Sequence, residues 1–249
     1  MTNDEKLQLG EKMLGYADKF NVPIPFLFEI LEDQKVTPMI RGKAMEYNAY
    51  LLLDSLLSKA AWSVQKLNLN AQTGTHDEDI SITHRRTGII LKVESKSAVR
   101  GSATTGKRTR HKTQGFNVKC HRSRSNIKLA ETSNDRYSVD SFDVLLTNTS
   151  NAVFQGNTVG EGLEIIHDKA TKEMLYKIYN VSNDTELRKA TENDWRFVLP
   201  DSIAVAGFIP RTPFVLFEND LFWKPINQIE AKILEVVEAK RNQQTASRR

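Results

Sequence analysis

The stretch that most limits how this chain can fold runs from His76 to Ser97. Ile80 and Ile82 alternate with Ser81 and Thr83, Arg85-Arg86-Thr87-Gly88 supplies turn chemistry, and Ile89, Leu91 and Val93 alternate again, which is the pattern of a β-hairpin. Side chains alternate across a strand. If the two isoleucines share a face with Ile89, Leu91 and Val93, then Asp79, Ser81 and Thr83 share the other with Lys92, Glu94 and Lys96. A two-residue connection at Arg86 and Thr87 sets Asp79 opposite Glu94. Gly88 argues instead for a three-residue loop with a bulge, which shifts that register unless the bulge absorbs the extra residue. Either way, two carboxylates and a lysine converge on one polar face, expected to be exposed.

Two carboxylates a few ångströms apart repel, and one of them takes up a proton unless a cation is present. A hard divalent ion removes the conflict. Mg²⁺ accepts one or two carboxylates and keeps waters and substrate phosphate oxygens for its other positions, and Mn²⁺ can substitute for it. Lys96 lies on the same face as Glu94, where it could orient or deprotonate an attacking water and stabilise developing negative charge. Such an arrangement suits phosphodiester hydrolysis. The alternative for Asp79, Glu94 and Lys96 is an exposed cross-strand salt-bridge ladder.

Asp79 opening a strand, 14 intervening residues, then Glu94-Ser95-Lys96 closing the next strand resembles the PD-(D/E)XK nuclease motif. Position 78 is Glu, so the resemblance is to the relaxed form, in which an aspartate simply precedes an apolar strand. Acid-x-lysine triplets also occur at Asp4-Glu5-Lys6, Asp33-Gln34-Lys35, Glu230-Ala231-Lys232 and Glu238-Ala239-Lys240. Of these, the triplet at Glu94 alone ends an apolar strand that follows a strand headed by Asp. Upstream, Met45, Ala49, Leu52, Leu53, Leu56, Leu57 and Ala60 recur at helical spacing, with Glu46 beside that stripe near the helix start. The resemblance implies that Glu46 points toward the metal with Asp79 and Glu94; the alternative is a favourable helix-dipole charge. It further implies an α/β fold with a restriction-endonuclease-like core, a mixed β-sheet flanked by helices.

The activity so implied is Mg²⁺-dependent cleavage of double-stranded DNA by an endonuclease, in particular a type II restriction endonuclease reading a short site. That choice follows chain size, a compact domain with no helicase motor, and basic residues beside the site. A palindromic target calls for a homodimer, and restriction calls for a cognate DNA methyltransferase. Two alternatives stand: a repair or recombination nuclease of the same fold that recognises DNA structure, and a sequence-specific DNA-binding protein whose site is inactive.

The charge pattern supports a polyanion partner. Residues 95–130 hold ten lysines and arginines and no acid, whereas in the rest of the chain acids outnumber bases, so the net charge of +4 conceals one strongly cationic segment. Neutralising phosphates releases condensed counterions and gives sequence-independent affinity. Lys107, Arg108, Arg110 and Lys112 are the expected phosphate contacts, with Arg100 and Lys119 as further DNA contacts, the stretch Arg100 to Gln114 being read as a flexible loop. Phe116 to His121 reads as extended. Arg122, Arg124 and Asn126 alternate after it and are the expected base readers, since arginine and asparagine recognise guanine and adenine edges bidentately; phosphate clamping is the alternative. His121 lacks metal-site spacing and is read as a DNA contact or a packed histidine, and Arg211, between Pro210 and Pro213, as a further contact.

The 249 residues are read as one nuclease domain over 1–240, with an N-terminal helical segment, 1–36, and the basic segment 95–130 within it. Residues 241–249 are expected to form a disordered tail. The single cysteine, Cys120, leaves no disulfide framework and fits a cytoplasmic protein. No apolar run approaches the ~20 residues of a membrane span. Pro38 and Gly42 are expected to punctuate the chain before the long helix, and Trp62 to Leu67 to form the strand before the hairpin. Later elements are strands at Phe142 to Leu146 and around Leu163 to Ile166, a helix from Leu187 to Trp195, and an amphipathic helix marked by Ile226, Ile229, Ile233, Leu234 and Val237.

Overall fold

The computed structural model of the chain describes residues 1–67, 78–106, 113–122, 134–156, 163–165 and 167–246. They fall into two compact units, Met1–Ala44 and Met45–Arg249.

In the first unit the helix Asn3–Lys19 opens with a capping box, Thr2 accepting from the Glu5 N–H while the Glu5 carboxylate accepts from the Thr2 N–H. The helix ends at Lys19, with Asn21 left-handed at φ 52° ahead of Pro23 and Pro25, and a single 3₁₀ turn, Ile24–Phe26, leads into the helix Leu27–Glu32. Pro38 and Gly42 do not punctuate the chain as expected: both lie inside the helix Thr37–Leu56. Pro38 occupies the first turn, where its missing N–H is no loss, and Gly42 lowers helix stability by only about 1 kcal/mol relative to alanine.

The second unit is built on strands β1 (Trp62–Lys66), β2 (Ile80–His84), β3 (Ile90–Ser95), β4 (Gly115–Asn117), β5 (Val144–Asn148), β6 (Phe154–Gly156), β7 (Leu163–Ile165), β8 (Trp195–Val198), β9 (Phe214–Leu216) and β10 (Lys224–Pro225). Six form one mixed sheet in the order β1-β2-β3-β5-β8-β10. Within it β3 and β5 run parallel, and the other neighbours antiparallel. β4 pairs with β9 and β6 with β7. Residues alternate between two cores. Ile80, Ile82, Leu91, Val93, Val144, Leu146 and Phe197 pack with Ala49 and Leu53 of the long helix, with Leu57 just past its end, and with Ile229, Ile233 and Val237 of the helix Ile229–Ala246. Leu145 and Val198 point the other way, into a cluster with Phe116, Val118, Tyr137, Leu175 of the helix Lys169–Tyr179 and Leu187 of the helix Asp184–Asn193. The chain thus has the mixed sheet flanked by helices that the resemblance implies.

The hairpin turn decides the register. Residues 85–88 form a four-residue connection in which the His84 N–H donates to the Ile89 carbonyl at 2.9 Å and the Gly88 N–H to the His84 carbonyl at 2.8 Å. Gly88 supplies the left-handed residue, φ 70°, without a bulge. Four residues have the same parity as two. Ile80 therefore faces Val93 and Ile82 faces Leu91, so Asp79 and Glu94 come level on the polar face.

Several expected boundaries move. Leu56 and Ala60 are exposed, because the long helix ends at Leu56 and the buried stripe runs from its Ala49 and Leu53 to Leu57 just past its end. Trp195 begins β8 instead of ending a helix, since the Asn183-capped helix stops at Asn193. The expected strand at Phe142 starts two residues later, at Val144. The helix begun at Ile229 continues to Ala246, so residues 241–246 are helical instead of a disordered tail. Residues 100–106, expected in a flexible loop, are tied down by the Thr104–Gly115 bridge and by buried Ala103, whose N–H donates to the Ala152 carbonyl.

Candidate active site

Asp79 immediately precedes β2, Glu94 lies at the end of β3, and Lys96 follows that strand. Glu94 pairs with Leu145 across the parallel β3–β5 ladder, so the polar face of the hairpin is continuous with the core face of Leu145. The site end of the expected exposed face is buried, while Lys92 on the same face is exposed. Asp79 is 5% exposed and Glu94 1%. The physical reason is the course of the cationic segment: Ala98 bridges Val118 and the Lys119 N–H donates to the Ser97 carbonyl, which lays buried Ala98, Val118 and Cys120 over this part of the sheet.

Within the cluster Asp79 Oδ2 accepts from both the Ser95 N–H and the Ser95 hydroxyl, each at 2.9 Å. Burial holds the Asp79 carboxyl above its usual range, against the pull of Lys96 and with the push of Glu46. Lys96 forms a salt bridge with Glu94. Burial tends to lower its pKa, but the opposing charge of Glu94, with Tyr137 and Asp79 adding to it, holds the ammonium well above the usual lysine range. The Tyr137 hydroxyl donates to Glu94 Oε1 at 3.1 Å, and Lys96 Nζ stands 5.2 Å from the Tyr137 ring centroid. Glu46 reaches the edge of the same cluster from the long helix. Its Oε2 accepts from Lys66 Nζ at 3.0 Å, and that ammonium also donates to the carbonyls of Leu67, at 2.9 Å, and Asp79, at 3.1 Å.

The sequence-predicted catalytic residues Asp79, Glu94, Lys96 and Glu46 are thus brought together. Lys66, Ser95 and Tyr137 join them, and sequence reasoning marks none of the three. Lys66 alone leaves a trace, as a charged residue in an otherwise apolar-alternating strand.

The expected DNA contacts scatter. Arg100 and Lys119 are exposed on the segment that leaves the cluster. His121 is partly buried, with Nδ1 3.2 Å from the Arg122 carbonyl oxygen. Arg122 does not stand free at the surface: it is buried, its guanidinium donating to the Arg136 carbonyl at 2.8 Å and Ser141 Oγ at 2.9 Å and lying 4.7 Å from the Tyr137 ring centroid. Arg211 is exposed and donates from Nε to Asp135 Oδ1 at 2.6 Å, which holds the Asp135 carboxyl below its usual range. Lys107, Arg108, Arg110, Lys112, Arg124 and Asn126 lie outside the described residues.

Among the described residues no three His, Cys, Asp or Glu side chains form a cage for a metal ion. Asp79 and Glu94 nevertheless fit a hard cation of the Mg²⁺ type, which takes one or two carboxylates and leaves its other positions to water and phosphate. The raised Asp79 pKa fits as well, since it marks a buried carboxylate whose charge Lys96 and Lys66 do not fully offset. Among the described residues no helix is long and apolar enough to cross a membrane.

No protein-family model matches the chain, and no curated protein matches it. Among solved structures, that of a bacterial homing endonuclease, I-Ssp6803I, is similar over 86% of this chain and 98% of its own, at 15% identity and a TM-score of 0.37.

Proposed function

We propose that this chain is a Mg²⁺-dependent endonuclease that hydrolyses phosphodiester bonds of double-stranded DNA. The observation that carries the reading is the meeting of Asp79, Glu94 and Lys96 in one buried cluster at the start of β2 and the end of β3, with Lys96 ion-paired to Glu94 and Asp79 locked to Ser95. Asp79 and Glu94 are the residues to hold the cation. When bound, Mg²⁺ supplies Lewis-acid stabilisation of phosphoryl oxygens and lowers the pKa of a coordinated water. Lys96, retained as an ammonium, offsets negative charge that develops on the phosphate. Ser95 fixes Asp79 through its backbone N–H and hydroxyl. Glu46, paired with Lys66, adds negative charge at the edge of the site.

Within that activity we favour a type II restriction endonuclease: a homodimer that reads a short site and is matched by a methyltransferase. The support is the cationic segment that leaves the cluster directly after Lys96 and presents Arg100 and Lys119 at the surface. The test is incubation with unmethylated phage DNA and Mg²⁺, alongside a chelated control, followed by sequencing of the ends. Discrete ends carrying a shared short sequence support restriction. Cutting confined to junctions or flaps moves the chain to the repair and recombination class, and binding without cutting makes it a DNA-binding protein with an inactive site. Protein that neither binds nor cuts DNA refutes the reading.

A further inference from the structure

Tyr137 is fully buried, at 0% exposure, and lies 43 residues from Glu94 in sequence. Its backbone carbonyl accepts from the Ile209 N–H at 2.9 Å, and its ring meets Phe142 edge-on at 5.2 Å. A phenylalanine would satisfy both contacts. The hydroxyl is what sets tyrosine apart, because a buried O–H must find a partner, and here it finds Glu94 Oε1. The ring carries a second load. Its negative faces attract cations, and two are within reach: Lys96 Nζ at 5.2 Å from the centroid and the Arg122 guanidinium at 4.7 Å. Arg122 is itself fixed by Arg136 and Ser141, so it pins the ring in place.

We propose that Tyr137 is the positioning residue of this site, its hydroxyl fixing the Glu94 carboxylate and its ring holding Lys96 beside it, with Arg122 bracing the ring. This rests on the nuclease reading above. Partners that hold a ligating carboxylate typically change metal affinity or activity by about 10–100-fold when removed. In this role Tyr137 acts through Glu94 and Lys96.

The test uses Tyr137→Phe, which keeps the ring, and Arg122→Met, which keeps the hydroxyl but releases the brace. Two quantities are read: Mn²⁺ affinity of the DNA-free protein by calorimetry, and kcat and KM on a DNA substrate. For Tyr137→Phe we expect Mn²⁺ affinity and kcat each to fall about 10–100-fold, with KM for DNA unchanged. Arg122→Met should move the same two quantities in the same direction by less, and it carries the test if Tyr137→Phe fails to fold. A folded Tyr137→Phe protein with wild-type Mn²⁺ affinity and kcat overturns the proposal and leaves the nuclease reading intact. Loss confined to thermal stability does the same, since it makes Tyr137 a core residue and nothing more. If wild type binds Mn²⁺ but cuts no DNA, and Tyr137→Phe weakens that binding, the nuclease reading falls and the positioning role stands. Wild type that neither binds Mn²⁺ nor cuts overturns both.

Discussion

Replacing Asp79 in two ways should separate its hydrogen bonds from its charge. Asp79→Ala removes the acceptor of two donors, the Ser95 N–H and hydroxyl, both at 2.9 Å in a site where Asp79 is 5% exposed. A buried donor left unmade costs about 1–3 kcal/mol; with two of them, one a hydroxyl that can rotate elsewhere, the loss should be about 2–4 kcal/mol. Asp79→Asn keeps an oxygen of the same shape and deletes the charge. Burial raises the Asp79 carboxyl in the folded state, Lys96 opposes and Glu46 reinforces that shift, and the sign of the consequence follows from linkage. A carboxyl with a raised folded pKa adds stability that is complete below its unfolded pKa, about 3.9, and is lost as pH rises through the folded value. Wild type loses that contribution on the way to neutral pH and Asp79→Asn does not, so the asparagine variant should gain on wild type as pH rises. Urea unfolding of the three proteins in chelator, at a series of pH values from about 4 to 8, measures both effects. An alanine variant with the wild-type midpoint would refute the buried hydrogen-bond argument. An asparagine advantage that shrinks with rising pH would refute the charge argument. Both variants should lose Mg²⁺-dependent cleavage.

Lys96→Met should destabilise the fold by about 3–5 kcal/mol in urea, because it leaves Glu94 buried without its ion pair, and should abolish turnover while Mn²⁺ binding persists. Burial pushes the Cys120 thiol up to about 12, so it should resist alkylation in the native protein at pH 8 and react once urea unfolds the chain; rapid native modification, read by mass spectrometry, would contradict its burial. Neutralising Lys107, Arg108, Arg110 and Lys112 together should weaken all DNA sequences alike and flatten the salt dependence of binding by about 0.9 for each phosphate left unneutralised, as measured by titration at several salt concentrations.

The hairpin was legible because its information is local. Alternation of Ile80 and Ile82, and of Ile89, Leu91 and Val93, fixes which residues share a face, and only the parity of the turn was left open. Four turn residues settled it, which a rule for two- and three-residue loops does not contain. The long helix was legible for the same reason, through Ala49, Leu53 and Leu57. β8 was not: Trp195 through Val198 is four residues long and abuts a helix, so its apolar spacing fits either element, and its place between β5 and β10 is set by pairing across the sheet.

What the site residues face was beyond the sequence, because that is decided by segments far away in the chain. Alternation put Asp79 and Glu94 on a polar face, and polar faces are usually solvated; this one is roofed because Ala98, Val118 and Cys120 return over it. The cationic segment shows the same limit in its charges. Ten basic residues without an acid read as a surface for a polyanion. Yet Lys96 is bound to Glu94, an acid that lies just outside the segment in sequence and inside its environment in space. Arg122 is engaged by Arg136, Ser141 and the Tyr137 ring. At least these two charges serve the protein's own interior, so the positive field of the segment is weaker than composition implies. By the same token, the segment divides its charges: Arg100 and Lys119 stay at the surface, while the partly buried Lys96 and the buried Arg122 tie the backbone that carries them to Glu94, one directly and the other through the Tyr137 ring.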